Sequence, residues 1–248
     1  MKQNVISKTF ALLRAFTDKQ NEWGVNELSR HLKMPVSSVH RMLSTLKNEN
    51  IIEYSEQTGK YKIGLDLIRM ASIISTKVDI KRIAYPHLLE LSRNVHHSVY
   101  FALYYPHHRK LAFVDSISRL NALQYVLELG AFQPIHIASS GKNILAHLSD
   151  SEINEVLKVE VDSEADRNRI LVELKKIKIQ GYAITSNERK MGALSVGAPV
   201  FDAKGDVIGS IICVMPVGEY SQESEADYIF YVKKAAEYLS YSLGYMKN

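Results

Sequence analysis

Residues 25–46, "VNELSRHLKMPVSSVHRMLSTL", hold two helical repeats broken by a proline, and they constrain the chain more than any other stretch. In the first repeat Val25, Leu28 and Leu32 recur at i, i+3 and i+7. Pro35 suits the first turn of a new helix better than an interior, because it lacks the N–H that an interior turn needs. On a helix over 36–48, at about 100° per residue, Val39, Met42, Leu43 and Leu46 share an arc of roughly 100°. That is an ordinary core-facing stripe. Ser37, His40, Arg41, Ser44 and Asn48 share the opposite arc, which is rich in donors and free of carboxylates. Two helices joined by a short turn, the second with such a face, predict a helix-turn-helix whose second helix enters a DNA major groove.

Roles follow from residue type. Arg41 is the candidate for base-edge contact, followed by Ser37 and His40. Ser37 and Ser38 lie where helix N-terminal N–H groups can meet a phosphate, with Val36 opening the same turn and Ser44 one turn further along the outer face. Lys33 approaches the backbone from the turn. The next stretch, "IIEYSEQTGKYKIG", reads as two short strands around a polar turn containing Gly59. Lys60 and Lys62, two apart, share one strand face and would add phosphate contacts, while Tyr61 and Ile63 point to the core. Before the pair, "SKTFALLRAFTD" predicts a helix with Phe10, Leu13 and Phe16 on its packed side. Charge agrees with a polyanion partner at this end: residues 1–65 hold ten Lys/Arg against six Asp/Glu, and the rest of the chain is balanced within the net +4.

Residues 65–77 continue as a helical pattern with no turn chemistry before it except Gly64, so they are expected to form a linker helix. A further helix is expected over 79–95, with Pro86 either kinking or restarting it. Beyond it, strands are expected at "SVYFALYY", "KLAFVDSI", "ALQYVLEL", "LSVGAPVFD" and "VIGSIICVMPV". Helices are expected near 141–148, 150–158, 163–180 and 222–246. Hairpins followed by helices predict an α+β domain with a largely antiparallel sheet. The division expected is 1–64, a winged helix-turn-helix; 65–77, the linker helix; and 78–248, an effector-binding domain. Within the last, Ile80, Ile83, Ala84, Leu88, Leu91 and Val95 read as core or dimer contact, and a tyrosine stripe of 228, 231, 238, 241 and 245 reads as packing on the sheet.

"VNELSRHLKMPVSSVHRMLSTLKNENIIEYSEQTGKYKIG" resembles the DNA-binding domain of the IclR family of bacterial transcription regulators. "PIHIASSGKNILAHLSDSE" and "GYAITSNERKMGALSVGAPVFDAKGDVIGSIICV" resemble the family's effector-binding domain. The resemblance implies a winged helix, a linker helix and a GAF-like domain with a curved antiparallel sheet and flanking helices. It also implies homodimers or dimers of dimers on double-stranded operator DNA. Two departures stand out: lysine (Lys8, Lys60, Lys62) where the family often has arginine, and Ser195 where many members have cysteine. Lysine lacks the bidentate fork, so these three should position rather than specify.

For a small-molecule effector, Ser139, Ser140 and Gly141 fall at an expected helix start, whose N–H groups favour a carboxylate. They also fit a plain helix cap. The resemblance adds Thr185 in the loop after "GYAI", Ala193 and Ser195, with Tyr125 and Gln133 from the preceding strand and turn. Small and hydroxylic residues there suit an organic or sugar-derived acid. Lys142, Arg189 and Lys190 are ambiguous between pocket and solvent, and Glu128, Asp115 and Glu188 read as ordinary loop or sheet-edge charges.

No metal, cofactor or catalytic set is expected. His96-His97 and His107-His108 are adjacent pairs, which a strand sends to opposite faces. "SSGKN" lacks the spacing of a phosphate-binding loop, and no G-x-S-x-G is present. The single Cys213 sits in an apolar strand run, no apolar run nears the roughly 20 residues of a membrane span, and the opening residues lack signal-peptide features, so the cytoplasm is expected. Two other readings fit the same residues: a metabolite-binding enzyme carrying a winged-helix module, and a non-specific DNA binder.

Overall fold

The computed structural model describes residues 4–18, 20–77, 79–118 and 127–246. It divides into two compact units, Met1–Val78 and Asp79–Asn248, and the stretch expected as the linker helix, 65–77, falls at the end of the first.

The first unit runs α1 (Val5–Asp18), β1 (Glu22–Trp23), α2 (Val25–Leu32), α3 (Val36–Asn48), β2 (Ile52–Ser55), β3 (Lys60–Ile63) and α4 (Leu65–Lys77). Its three antiparallel strands are ordered β1-β3-β2, with Trp23 and Tyr54 both opposite Tyr61. Leu12, Phe16, Trp23, Leu28, Val39, Leu43, Ile52 and Tyr61 form the core. Phe10 corrects the expectation for α1: it is 55% exposed, while Phe16 and Leu13 pack as expected, with Leu12 and Ala15 completing the face. Local chemistry sets the angle between α2 and α3. Glu27 reaches back to accept the N–H of Gly24, the N-cap residue of α2. Lys33 ends α2 in the left-handed region at φ 51°, the Ser29 hydroxyl donates to the Met34 carbonyl, and Pro35 caps α3. The Trp23 indole N–H donates to the Ala15 carbonyl and fixes α1 to the sheet.

The second unit runs α5 (Asp79–Val95), β4 (Ser98–Tyr105), β5 (Lys110–Ile117), β6 (Phe132–Pro134), α6 (Ala138–Leu145), α7 (Asp150–Glu160), α8 (Glu164–Gln180), β7 (Ala183–Ser186), β8 (Ala193–Phe201), β9 (Val207–Pro216) and α9 (Gln222–Ser242). One antiparallel sheet is ordered β6-β5-β4-β9-β8-β7, with register shifts at Phe101/Ala102 and Val200/Phe201. Such shifts bend a strand and help curl the sheet. The central strands are apolar on both faces because helices cover both. Phe101, Val196, Ile211 and Cys213 pack with Leu88, Leu91, Val232 and Leu239 from α5 and α9. Tyr100, Phe113, Ile212 and Val214 pack on the other face with Ile144, Val156 and Leu174 from α6, α7 and α8. Pro86 lies inside α5, which is continuous.

Two expectations need correcting here, and a third falls mostly on residues that are not described. The α9 face against the sheet is Val232, Ala235, Ala236 and Leu239, whereas Tyr238 and Tyr241 are 44% and 45% exposed; small side chains allow the close approach. Thr185 lies on strand β7, not in a loop. Most of the strand expected at "ALQYVLEL" lies outside the described residues; Leu129 makes one bridge to Phe113.

Candidate nucleic-acid interface and effector cleft

The outer face of α3 carries Ser37, His40, Arg41 and Ser44, all exposed, while Val39, Met42 and Leu43 are buried. Val36 is 48% exposed at the first turn, Ser38 is half-buried and Lys33 is exposed in the turn before it. The Arg41 side chain has no intramolecular hydrogen bond or ion pair among the described residues. Its guanidinium is available to a groove.

The wing lysines are not free. Lys60 Nζ lies 3.1 Å from Glu27 Oε1, and Lys62 Nζ lies 3.5 Å from Glu53 Oε2. Sequence spacing placed both lysines on one face and missed these carboxylates, since Glu27 and Glu53 reach them from α2 and β2. Glu27 accepts from Gly24 and Lys60 together, which holds its carboxyl below the usual range.

In the second unit, a cleft enclosing about 30 Å³ opens between β7, β8, β9 and the start of α6. Of the expected effector residues, Ser140, Thr185, Ala193 and Ser195 line it. Ser139 stands behind them. Its N–H donates to Thr185 Oγ1 at 2.8 Å and its hydroxyl to Ser195 Oγ at 2.8 Å, while Thr185 Oγ1 and Ser195 Oγ are 3.0 Å apart. Three hydroxyl protons serve two hydroxyl–hydroxyl contacts, so one proton on Ser195 or Thr185 is surplus, and both residues line the cleft. Gly141 does not line it. A Cβ there would stand 2.6 Å from the Ile135 carbonyl oxygen, so glycine is required for α6 to pack on residue 135. Gln133 reaches the site through Arg189, and Tyr125 lies outside the described residues.

The charged residues around the cleft corrected the sequence reading most. Glu188 is no ordinary loop charge. Its Oε2 accepts the N–H of Ala138 at 2.8 Å, at the positive end of α6, and its Oε1 accepts from Lys142 Nζ at 2.6 Å. Lys142 is 4% exposed and also donates to both oxygens of Glu173 on α8. Arg189, half-buried, folds over the cleft and donates to Gln133, Pro134, Ile137 and Ser140. Ala138 holds φ 62°, an uncommon conformation for a residue with a side chain, at the mouth of the same cleft. The "SNERKMG" loop therefore clasps α6. Spacing gave no signal of it, because the contacts span 46 residues or more.

Among the described residues no group of three His, Cys, Asp or Glu side chains could hold a metal, and no helix is long and apolar enough to cross a membrane.

A winged helix-turn-helix with an open arginine-bearing face, in one chain with a helix-flanked antiparallel domain containing a cleft, defines a ligand-responsive DNA-binding regulator. The chain matches the family description "Bacterial transcriptional regulator IclR C-terminal" over residues 73–241 and "IclR helix-turn-helix domain" over residues 5–56, and it belongs to the IclR family of bacterial transcription regulators. It is 26% identical to the HTH-type transcriptional regulator KdgR of Escherichia coli, across 97% of this chain and 92% of that one. Its fold is similar to that of an IclR transcriptional regulator from Alicyclobacillus acidocaldarius, at TM-score 0.87 and 19% identity over 98% of this chain and 100% of that one. It is also similar in fold to an IclR homolog from Microbacterium hydrocarbonoxydans solved with 4-hydroxybenzoate, at TM-score 0.79 and 21% identity over 97% and 99%.

Proposed function

We propose that a small organic or sugar-derived acid, bound in the cleft between β7, β8, β9 and α6, sets the operator affinity of this regulator. The observation that carries the reading is the cleft's floor. A surplus hydroxyl proton from the Thr185–Ser195 pair lies there beside the Arg189 guanidinium, a setting that favours negative charge. That a fold neighbour is complexed with 4-hydroxybenzoate supports an acid of this size.

In the proposed mechanism the acid binds one arrangement of the chain better than another, and the stiff helix α4 carries the difference to the winged helix. Ser37, His40 and Arg41 read base edges; Lys33, Val36, Ser38, Ser44, Lys60 and Lys62 set the helix and wing on the phosphates. A homodimer or dimer of dimers in the cytoplasm places recognition helices in successive major grooves. The chain acts by binding and not by turnover.

The test is footprinting of the full chain on the DNA upstream of its own gene, with and without a panel of small acids. A protected palindromic site whose midpoint moves with one acid supports the proposal. Equal affinity for competitor DNA, or consumption of the acid, overturns it.

A further inference from the structure

Arg189 is a cation without an anion. Its hydrogen bonds go to Gln133 Oε1 at 2.8 Å, the Pro134 carbonyl at 3.4 Å, the Ile137 carbonyl at 3.2 Å and Ser140 Oγ at 3.3 Å, all neutral oxygens. Its Nε–H is buried and meets no acceptor. The Phe113 ring lies under the guanidinium at 5.8 Å. The neighbouring carboxylate, Glu188, is occupied by Lys142 and by the N–H of Ala138. A guanidinium withdrawn from water is ordinarily paired, because desolvation is otherwise uncompensated. Burial accordingly lowers the Arg189 pKa to about 10, with partial relief from Glu188, so it remains charged at neutral pH.

The space beside it limits what the missing anion can be. Leu127, Ala193, Leu194, Ile212 and Val214 form most of the wall, and polar contact is confined to Ser140, Thr185, Ser195 and the charged loop. The cleft encloses only about 30 Å³, well under the roughly 300–1,000 Å³ usual for small-molecule sites, so its ligand is small and its walls must part to admit one. A planar carboxylate matches the guanidinium fork, and the rest of such a ligand must be apolar to sit against those walls. A sugar acid carries more hydroxyls than the few polar groups of Ser140, Thr185, Ser195 and the charged loop can serve, and those turned to the apolar wall would be buried without a partner.

We infer that Arg189 is the specificity-determining residue of the cleft, selecting a small monocarboxylate with an apolar body over polyhydroxylated acids and over phosphate. This rests on the effector reading above and narrows it.

Calorimetric titration of the full chain tests it with benzoate, 4-hydroxybenzoate, hexanoate, benzamide, gluconate and inorganic phosphate. At least one apolar carboxylate should bind, with benzamide, gluconate and phosphate at least tenfold weaker. Arg189→Gln should lose tenfold or more of the carboxylate affinity, and Arg189→Lys should retain part of it. If Arg189→Gln does not fold, the benzoate–benzamide contrast on the unaltered chain still decides. Equal binding of benzamide, preference for gluconate or phosphate, an unaffected Arg189→Gln, or no carboxylate binding at all overturns the inference. Ala193→Phe, which fills the cleft, separates the two readings. Carboxylate binding lost in Ala193→Phe but kept in Arg189→Gln spares the cleft and sinks the role of Arg189. Binding unchanged in Ala193→Phe sinks the cleft as the effector site.

Discussion

Glu53 and Lys62 face each other across the wing, and the same carboxylate reaches the helix beyond it. Oε2 of Glu53 is 3.5 Å from Lys62 Nζ, while Oε1 accepts the N–H of Leu65, the first residue of α4, at 3.3 Å. One side chain thus neutralises a candidate phosphate contact and caps the linker helix. A phosphate that takes Lys62 competes with Glu53 for it.

Glu53→Gln should therefore tighten binding to all DNA sequences and steepen the salt dependence by up to about one unit of log–log slope, since Lys62 is released to a phosphate. The cap at Leu65 weakens at the same time, at a cost of about 0.3–1 kcal/mol. Fluorescence anisotropy against salt, on operator and on random duplex, measures the first effect. An unchanged slope would show that Lys62 lies off the phosphate path.

Arg41→Ala should cost about 1–3 kcal/mol of operator affinity and relax preference at one base step. Its unfolding midpoint should not move, because Arg41 has no intramolecular partner among the described residues. Lys60→Ala should weaken operator and random DNA alike, and only slightly, because Lys60 already holds Glu27. Parallel gel shifts on both duplexes check the pair. A wild-type preference for operator in Arg41→Ala removes α3 from the groove.

The winged helix was legible because its information is local. Pro35, the heptad-like apolar spacing and the Gly59 turn specify α2, α3 and the wing within 39 residues, and Ser37, His40 and Arg41 emerge exposed as their arc requires. Strand positions of the second unit were legible from apolar runs, as at Ser98–Tyr105 and Lys110–Ile117. The cleft was legible only in part. Hydroxyl residues marked its floor, but Glu188, Arg189 and Lys142 acquire their roles from partners on other elements, which periodicity does not encode. Phe10 and Tyr238 misled for the converse reason: hydrophobicity at helical spacing says which faces are apolar, not which are covered.

Ser195 accepts from Ser139 and pairs with Thr185 in a largely buried triangle on the cleft floor. Ser195→Ala leaves the Ser139 hydroxyl without its acceptor while both neighbours stay buried, so destabilisation of about 1–3 kcal/mol is expected. Chemical denaturation followed by the second unit's signal measures it. A loss below about 0.5 kcal/mol would mean that another acceptor or a water replaces the hydroxyl.

His147 gives the second unit a pH dependence of definite sign. It follows α6, with Nδ1 2.8 Å from the Asn143 carbonyl and its ring edge-on to Phe201 at 5.1 Å. Burial lowers its pKa from the usual 6.5, the Asn143 carbonyl works against that shift, and Lys178 adds to it. The fold thus prefers the neutral ring with Nδ1–H donating to Asn143. Below 6.5 the unfolded chain binds a proton that the fold resists, so stability is full above 6.5 and falls as pH drops from there toward the lowered folded value. His87, His97 and His136 are shifted the same way by burial, so several groups share the acid sensitivity. His147→Gln keeps a donor for Asn143 without a titrating ring. Its unfolding midpoint should fall less than that of the unaltered chain between about pH 7.5 and pH 5.5. Identical acid slopes in the two proteins would place the sensitivity on the other histidines.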